Sequence, residues 1–184
     1  GYAPLQALAA FSQSVGAQCR GYFFAQDDDG EINIFAGTST KLYKLANTYL
    51  TWSDVSDSGG TYTTLSDGAH WQFAQFGSYV IAVQANDHPQ VFQLGVDTDF
   101  ADLGGSPPDA AYITVVNRFL VLSGLTANPK RIQWSGLNEV DNWTSGSNSS
   151  DFQDFPDGGN VRQVIGGDVG GNRGVDHRDP GGVL

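Results

Sequence analysis

The sequence contains no methionine, one cysteine and only nine basic residues among its 184 positions. The single Cys19 has no partner for an intramolecular disulfide, so the fold depends on packing rather than on cross-links. Twenty acidic residues give a net charge of −11, which repels nucleic-acid phosphates and anionic lipid headgroups and disfavours a DNA-coating role. No apolar run has the length of a membrane span, and residues 1–10 lack the features of a signal peptide. Without methionine, residue 1 is not a translation start unless processing removed it, and we expect the sequence to be a fragment.

Glycine and aromatic residues are abundant. The chain has 24 Gly and 7 Pro, together with 4 Trp, 7 Tyr and 11 Phe. Turn-forming and strand-forming residues in this mixture predict many short strands joined by turns. The length fits one domain of ordinary size that can bury a real core.

An internal repeat organises the middle of the chain. Trp71–Val83 aligns forty positions on with Ala111–Ser123, and each segment is typical of a strand, a tight turn and a second strand. Gly77 and Asn117 take the same place in the two copies, and both residue types tolerate the positive φ of a two-residue hairpin turn. Further pairs at this offset are Tyr79 with Phe119, Pro89 with Pro129, Phe92 with Ile132 and Leu94 with Trp134.

Two looser copies flank this pair. Tyr22–Ala25 and Ile32–Phe35 surround an Asp-Gly turn at Asp27–Gly30, which predicts a hairpin. Thr40–Leu45 then aligns with residues 89–94 at an offset of 49, and Val161–Ile165 is typical of the first strand of a fourth copy. A period of about 40 residues indicates propeller blades.

We therefore predict an all-β, propeller-like repeat of antiparallel blades. The expected blades are residues 21–55, 70–103 and 110–143, with the start of a fourth at 161, which together make an incomplete ring. A β-sandwich with hairpins of similar length is the alternative.

The two ends of the chain differ from the blades. Residues 1–20 are expected to form an arm, which is either extended or contains one helical turn that begins at Pro4. Residues 166–184 are rich in glycine and are predicted to be disordered, and one hypothesis for them is a truncated or frame-shifted gene end.

The sequence predicts no catalytic residue, cofactor site or metal site. His70, His88 and His177 lie apart from any nucleophile motif, and Cys19 has no second cysteine nearby. Asp27–Gly30 is interpreted as a solvated turn. Asp151, Asp154 and Asp157 are spaced by three, whereas an EF-type calcium loop alternates its ligands by two.

The tryptophans and one turn segment allow a structural or a sugar-binding interpretation. Ser56–Tyr62 loosely resembles the Asp box of sialidase-like propellers, a motif that fastens a hairpin. Trp71 and Trp134 have repeat-linked positions, which favours packing between blades over stacking on sugars. Trp52 and Trp143 are the remaining aromatic platforms.

Several segments carry a resemblance to a known group of proteins. They are Phe76–Val83, Pro89–Leu94, Arg118–Leu122, Arg131–Asn138, Asp141–Trp143 and Pro156–Gly159. The chain resembles tailed-phage and prophage virion proteins, similar to the packaged-DNA stabilisation and tail-nozzle proteins of short-tailed phages. In that group a strand ending in Trp-Ser leads through Leu-Asn and an acid to a second Trp, the pattern of residues 134–143. The resemblance covers about residues 2–167, and the last seventeen or so residues depart from it.

This resemblance implies a virion part at the head-to-tail junction or along the tail, assembled in the bacterial host cytoplasm. Its expected partners are other virion proteins and further copies in a ring, with passive contact to packaged DNA and no membrane or small-molecule substrate. No catalysis is implied. The alternatives are a carbohydrate-binding or carbohydrate-active propeller, lectin-like or glycoside hydrolase-like, and a scaffold of the WD-repeat sort.

Overall fold

The computed structural model describes residues 10–166. The expectations for residues 1–9 and 167–184, including His177, lie outside the described residues. Residues 10–20 contain no helix or strand, and the Gln13 N–H donates to the Leu50 carbonyl at 2.9 Å.

Twelve short strands form three antiparallel sheets of four, which we call blades 1, 2 and 3. Blade 1 contains β1 (Gly21–Gln26), β2 (Ile32–Gly37), β3 (Leu42–Ala46) and β4 (Thr51–Asp54). Blade 2 contains β5 (Gln72–Phe76), β6 (Tyr79–Gln84), β7 (Asp87–Gln93) and β8 (Ala101–Asp102). Blade 3 contains β9 (Ala110–Val116), β10 (Phe119–Leu125), β11 (Arg131–Trp134) and β12 (Asp151–Asp154). In each blade the strands pair in chain order.

The blades stack through their faces, because alternate residues of a strand point to opposite sides of the sheet. We call the side toward the following blade the forward face and the opposite side the backward face. One core joins the forward face of blade 1 to the backward face of blade 2, through Phe35 and Leu42 on one side and Val80 and Phe92 on the other. A second core joins blade 2 to blade 3 in the same way.

The predicted all-β repeat of blades is confirmed. The first strands of the blades lie side by side, since β1 contacts β5 and β5 contacts β9. Blades 1 and 3 each pack on blade 2, so the described residues form an open stack and not a closed ring.

Two predicted boundaries were wrong. Blade 3 extends beyond residue 143, because its fourth strand follows a long polar loop and pairs with β11 at Asp151–Asp154. Residues 161–165 form no strand. This segment instead crosses blade 3, since the Val161 N–H donates to the Pro129 carbonyl at 2.8 Å and the Gly166 N–H donates to Thr114 Oγ1 at 3.0 Å.

Candidate functional site

Residues 55–71 link β4 to β5, and we call them the connection. A polar pocket of about 370 Å³ lies where the connection meets blade 2. The connection contributes one wall and the two outer strands of blade 2 contribute the other. The lining residues are Asp57, Gly60, Thr61, Tyr62, Asp87, His88, Gln90 and Asp102.

Backbone hydrogen bonds hold the connection against blade 1. The Val55 N–H donates to the Leu42 carbonyl at 2.9 Å, and the Tyr62 N–H donates to the Thr40 carbonyl at 2.9 Å. The Tyr62 ring then packs edge-on against Trp71, with 5.0 Å between the ring centroids. These contacts fix the wall of the pocket that the connection supplies.

A chain of hydrogen bonds crosses the pocket wall. The Asp57 N–H donates to Tyr62 Oη at 3.0 Å, and this hydroxyl donates to Gln90 Oε1 at 3.1 Å. Gln90 Nε2 in turn donates to Asp102 Oδ1 at 2.6 Å. Burial raises the pKa of the Tyr62 hydroxyl well above its ordinary value, so this group stays a neutral donor. The chain ties the connection to both β7 and β8.

Asp87 and His88 are also engaged by the protein. Asp87 accepts hydrogen bonds from the Thr63 N–H at 2.6 Å, the Thr63 hydroxyl at 3.0 Å and the Gln84 side-chain amide. His88 Nε2 lies 3.1 Å from the Leu103 carbonyl, and its Nδ1 lies 3.5 Å from Asp109 Oδ1. Since these contacts satisfy the side chains locally, the arrangement works first as a latch between the connection and blade 2.

No metal centre or membrane helix emerges from residues 10–166. Within this range no group of three or more His, Cys, Asp or Glu side chains is placed to hold a metal ion. None of the helical structure described there is long and apolar enough to cross a membrane.

The repeat-linked turn residues take matching conformations. Gly77 has φ of 58° and Asn117 has φ of 53°, the positive values expected for these turns. Tyr79 and Phe119 each open the second strand of their blade, and they pair with Phe76 and Val116, respectively. The forty-residue offset therefore describes the first hairpins of blades 2 and 3 correctly.

The offset fails at the third strands. Gln90 pairs with Ala82, whereas Gln133 pairs with Leu122, so equivalent positions lie 43 residues apart. The reason is a longer loop at residues 126–130 between β10 and β11, compared with the turn at residues 85–86 in blade 2. Pro89 accordingly lies inside β7, while Pro129 lies in the loop before β11.

A shift of three residues also reverses the faces. Phe92 pairs with Val80 on the backward face of blade 2 and is buried in the first core. Ile132 and Trp134 instead point to the forward face of blade 3, because Trp134 pairs with Val121. The equivalence of Phe92 with Ile132, and that of Leu94 with Trp134, was wrong.

The four tryptophans have different environments. Trp71 is 2% exposed in the core between blades 1 and 2, and its Nε1 donates to the Thr38 carbonyl at 2.8 Å. Trp143 is buried in the second core. Trp134 belongs to neither inter-blade core of the described residues, and its Nε1 donates to the Ser149 carbonyl at 2.8 Å. Trp52 Nε1 donates to the Gln13 carbonyl at 3.0 Å, so this residue anchors the segment before blade 1.

The acidic segments are structural where they are described. Asp27–Gly30 forms the turn between β1 and β2, as predicted, with the Glu31 N–H donating to Asp27 Oδ1 at 2.8 Å. Asp154 lies in β12 and forms a paired hydrogen bond with the Arg131 guanidinium, at 2.6 and 2.8 Å. His70 and Cys19 are exposed and lie outside the pocket.

Sequence reasoning missed the pocket as a unit. Its residues come from the connection, β7 and β8, and their spacing matches no motif. One weak signal was present, because Gln84 ends the apolar strand β6 and Gln90 precedes the apolar pair Val91 and Phe92 in β7. The structure buries both glutamines, which are 0% and 2% exposed. Buried amides need partners. Gln90 finds them in the Tyr62 hydroxyl and the Asp102 carboxyl, and Gln84 Nε2 donates to the Asp87 carboxyl, whereas Gln84 Oε1 has no partner within the described residues.

Comparisons with known proteins found no matching family, no matching curated protein and no matching solved structure.

Proposed function

We propose that the chain is a non-catalytic structural component of a tailed-phage or prophage virion, placed at the head-to-tail junction or along the tail. In this role it assembles with other virion proteins and with further copies of itself, and it retains or conducts packaged DNA by passive contact. The proposal combines the sequence resemblance with the physical character of the blades.

The observation that carries the structural part is a cluster of exposed aromatic side chains on one blade face. Tyr22 is 69% exposed and Phe24 is 57% exposed on the backward face of blade 1. Exposed aromatic clusters on a sheet indicate an interaction surface. A protein that stacks apolar blades and leaves such a cluster exposed on one of them is suited to assembly.

The pocket supports a role without catalysis. Asp87 and Asp102 accept hydrogen bonds from neighbouring side chains, and the Tyr62 hydroxyl is held neutral by burial. Nucleophilic catalysis needs a nucleophile beside an available base. The hydrogen bonds of this pocket instead favour holding the connection in place.

The net charge suits a surface past which DNA moves. At −11 the protein repels the phosphate backbone at short range, and this repulsion weakens as salt screens it. Contacts between this surface and DNA are therefore weak, which fits a passive role.

Particle composition tests the proposal. Virions purified from the strain that carries the gene are analysed by mass spectrometry and by immunogold labelling with an antibody to the chain. We expect the protein in the particles, with label at the junction or the tail. Its presence in the lysate together with its absence from purified particles would overturn the proposal.

The pocket favours one second candidate, a carbohydrate-binding or carbohydrate-active propeller. Carboxylates, an amide and a tyrosine around a cavity of about 370 Å³ are groups that can bind sugar hydroxyls. A glycan array and hydrolase assays on the purified chain distinguish the two functions. Glycan binding or turnover that Asp102→Asn abolishes would favour this candidate, and no signal from either assay would favour the virion role.

A further inference from the structure

The exposed aromatic cluster on blade 1 breaks a pattern that the other blades keep. Tyr22, Phe24 and Ile32 lie on its backward face, and we call them the blade 1 patch. The Tyr22 and Phe24 rings meet edge-on, with 5.9 Å between their centroids. All three side chains are exposed, at 69%, 57% and 45%.

The equivalent positions of blades 2 and 3 are covered by the preceding blade. Phe73, on the backward face of β5, stacks on Phe23 of β1 with 5.9 Å between ring centroids and 14° between planes. Ile113, on the backward face of β9, is 6% exposed in the second core. The forward face of blade 1 therefore covers the backward face of blade 2, and the forward face of blade 2 covers the backward face of blade 3.

The forward face of blade 3 is the one such surface that no following blade covers within the described residues. Phe119 and Val121 lie on it, alternating with the residues of the second core. Residues 161–166 cross this face, so Val121 is only 6% exposed and Phe119 is half-buried. The apolar side chain that this crossing segment presents to solvent is Ile165, which is 87% exposed.

The turns of the first hairpins of blades 1 and 3 carry side chains of opposite charge. Neighbouring first hairpins touch inside the chain, since the Gln26 N–H donates to Gln75 Oε1 at 3.1 Å and Gln75 Nε2 donates to the Gln26 carbonyl at 2.6 Å. The same stacking would bring Arg118, exposed in the blade 3 turn, beside Asp28 and Asp29 in the blade 1 turn of another molecule. Opposite charges there favour this register.

We propose that the blade 1 patch of one copy docks on the forward face of blade 3 of a second copy. This contact is the self-assembly step of the proposed function, and to that extent it rests on the proposed function. Propellers typically have four to eight blades, and the three described blades of two copies, joined head to tail at both ends, would make six. The opposite charges of the blade 1 and blade 3 turns support a second copy of this chain as the occupant of the patch.

Sedimentation equilibrium of the full 184-residue chain tests the dimer. We expect a species of twice the 19.6 kDa chain mass as concentration rises. The double variant Tyr22→Ser/Phe24→Ser should weaken dimerisation about tenfold or more, because aromatic residues dominate interface energies. Val96→Ser is the control, since Val96 is 67% exposed in the turn after β7 and belongs to blade 2, not to blade 1. Circular dichroism checks that each variant stays folded.

Mixing two variants tests the head-to-tail arrangement. Tyr22→Ser/Phe24→Ser damages the blade 1 side of the contact, and Ile165→Asp damages the blade 3 side. A mixed dimer has one intact contact, whereas each variant alone has none, so mixing should restore part of the association.

Charge reversal tests the register of the contact. Arg118→Glu should weaken the dimer, and adding Asp28→Lys/Asp29→Lys should recover it.

Three outcomes would overturn the inference. One is a chain that stays monomeric at all concentrations, which would mean that something other than a second copy covers the patch. The second is a dimer as stable in Tyr22→Ser/Phe24→Ser as in the control. The third is no recovery on mixing, which would indicate patch-to-patch pairing. Because particle composition is measured separately, a dimer absent from virions would refute the virion role alone, and a monomer found in virions would refute this inference alone.

Discussion

The two inter-blade cores have the same geometry and different chemistry. Between blades 1 and 2, Phe35, Phe92 and Phe100 form a triangle with ring centroids 5.2 to 5.6 Å apart. Between blades 2 and 3, the equivalent space is filled by aliphatic side chains such as Ile81 and Leu120, with Trp143 at one side. In both, the forward face of one sheet meets the backward face of the next.

The difference shows what the repeat preserves. It preserves the alternation of the faces and the register of the first hairpin, whereas the residues that fill each core vary. Aromatic rings add directional contacts beyond the area they bury, and aliphatic side chains depend on close packing alone. We therefore expect the two cores to respond differently to the same kind of damage.

Truncating the aromatic core should have the largest effect. Phe92→Ala removes a ring that is 1% exposed and contacts both Phe35 and Phe100. We expect a loss of about 4 kcal/mol in the free energy of unfolding, against about 3 kcal/mol for Leu120→Ala in the aliphatic core. Urea denaturation followed by tryptophan fluorescence measures both.

A conservative change separates ring contacts from volume. Phe92→Leu keeps most of the apolar volume, so its cost should stay below about 1.5 kcal/mol if filling space is what matters. A cost for Phe92→Leu close to that of Phe92→Ala would show that the ring geometry dominates. Equal and small losses for Phe92→Ala and Leu120→Ala would contradict the importance of both cores.

Two glycines provide the next largest contrast. Gly105 has φ of 78°, and a Cβ there would collide with the Asp141 backbone carbonyl. Gly77 has φ of 58°, but a Cβ there would meet nothing within 4 Å. We expect Gly105→Ala to cost about 3 kcal/mol, through strain plus overpacking, and Gly77→Ala about 1 kcal/mol through strain alone. Thermal unfolding of the two variants compares them.

The turn at Gly77 also has a control taken from the chain itself. Asn117 occupies the equivalent position at φ of 53°, so Gly77→Asn should be tolerated better than Gly77→Ala. If both Gly77 variants lost as much stability as Gly105→Ala, the collision with Asp141 would not be the cause.

The latch beside the aromatic core should have an intermediate effect. Tyr62→Phe removes the hydroxyl that accepts from the Asp57 N–H and donates to Gln90 Oε1. Because Gln90 is 2% exposed, its amide loses a partner that water replaces poorly. We expect a loss of about 1–3 kcal/mol. Tyr79→Phe is the control, since the Tyr79 hydroxyl makes no hydrogen bond within the described residues, and denaturant titration should show it unchanged.

The sequence predicted local features better than distant pairings. The Gly77 and Asn117 turns and the Asp27–Gly30 turn depend on a few adjacent residues, and these features were correct. The third strands could not be placed, because three extra loop residues after β10 moved every later position and reversed its face. The pocket could not be predicted either, since it exists only after the connection has folded back onto β7 and β8.

The smallest change in folding stability should come from the ion pair between the outer strands of blade 3, and it should depend on pH. The paired hydrogen bond from Arg131 lowers the pKa of the Asp154 carboxyl below its ordinary value of 3.8. A carboxyl with a lowered pKa stabilises the fold above its unfolded pKa and loses that contribution as the pH falls through the folded pKa. Hydrogen bonds from Ser145 and Asn142 lower the pKa values of Asp151 and Glu139 in the same part of blade 3.

Asp154→Asn separates this pair from the general effect of acid. At pH 7 the variant should unfold at a slightly lower urea concentration than the original chain, because Asn cannot pair with the Arg131 guanidinium as a carboxylate does. Below the folded pKa of Asp154 the difference should disappear, since the original carboxyl is then protonated. Urea midpoints measured from pH 7 downward should draw together as the pH falls toward the folded pKa. Two parallel curves across the whole range would show that Asp154 acts through packing in blade 3 and not through its charge.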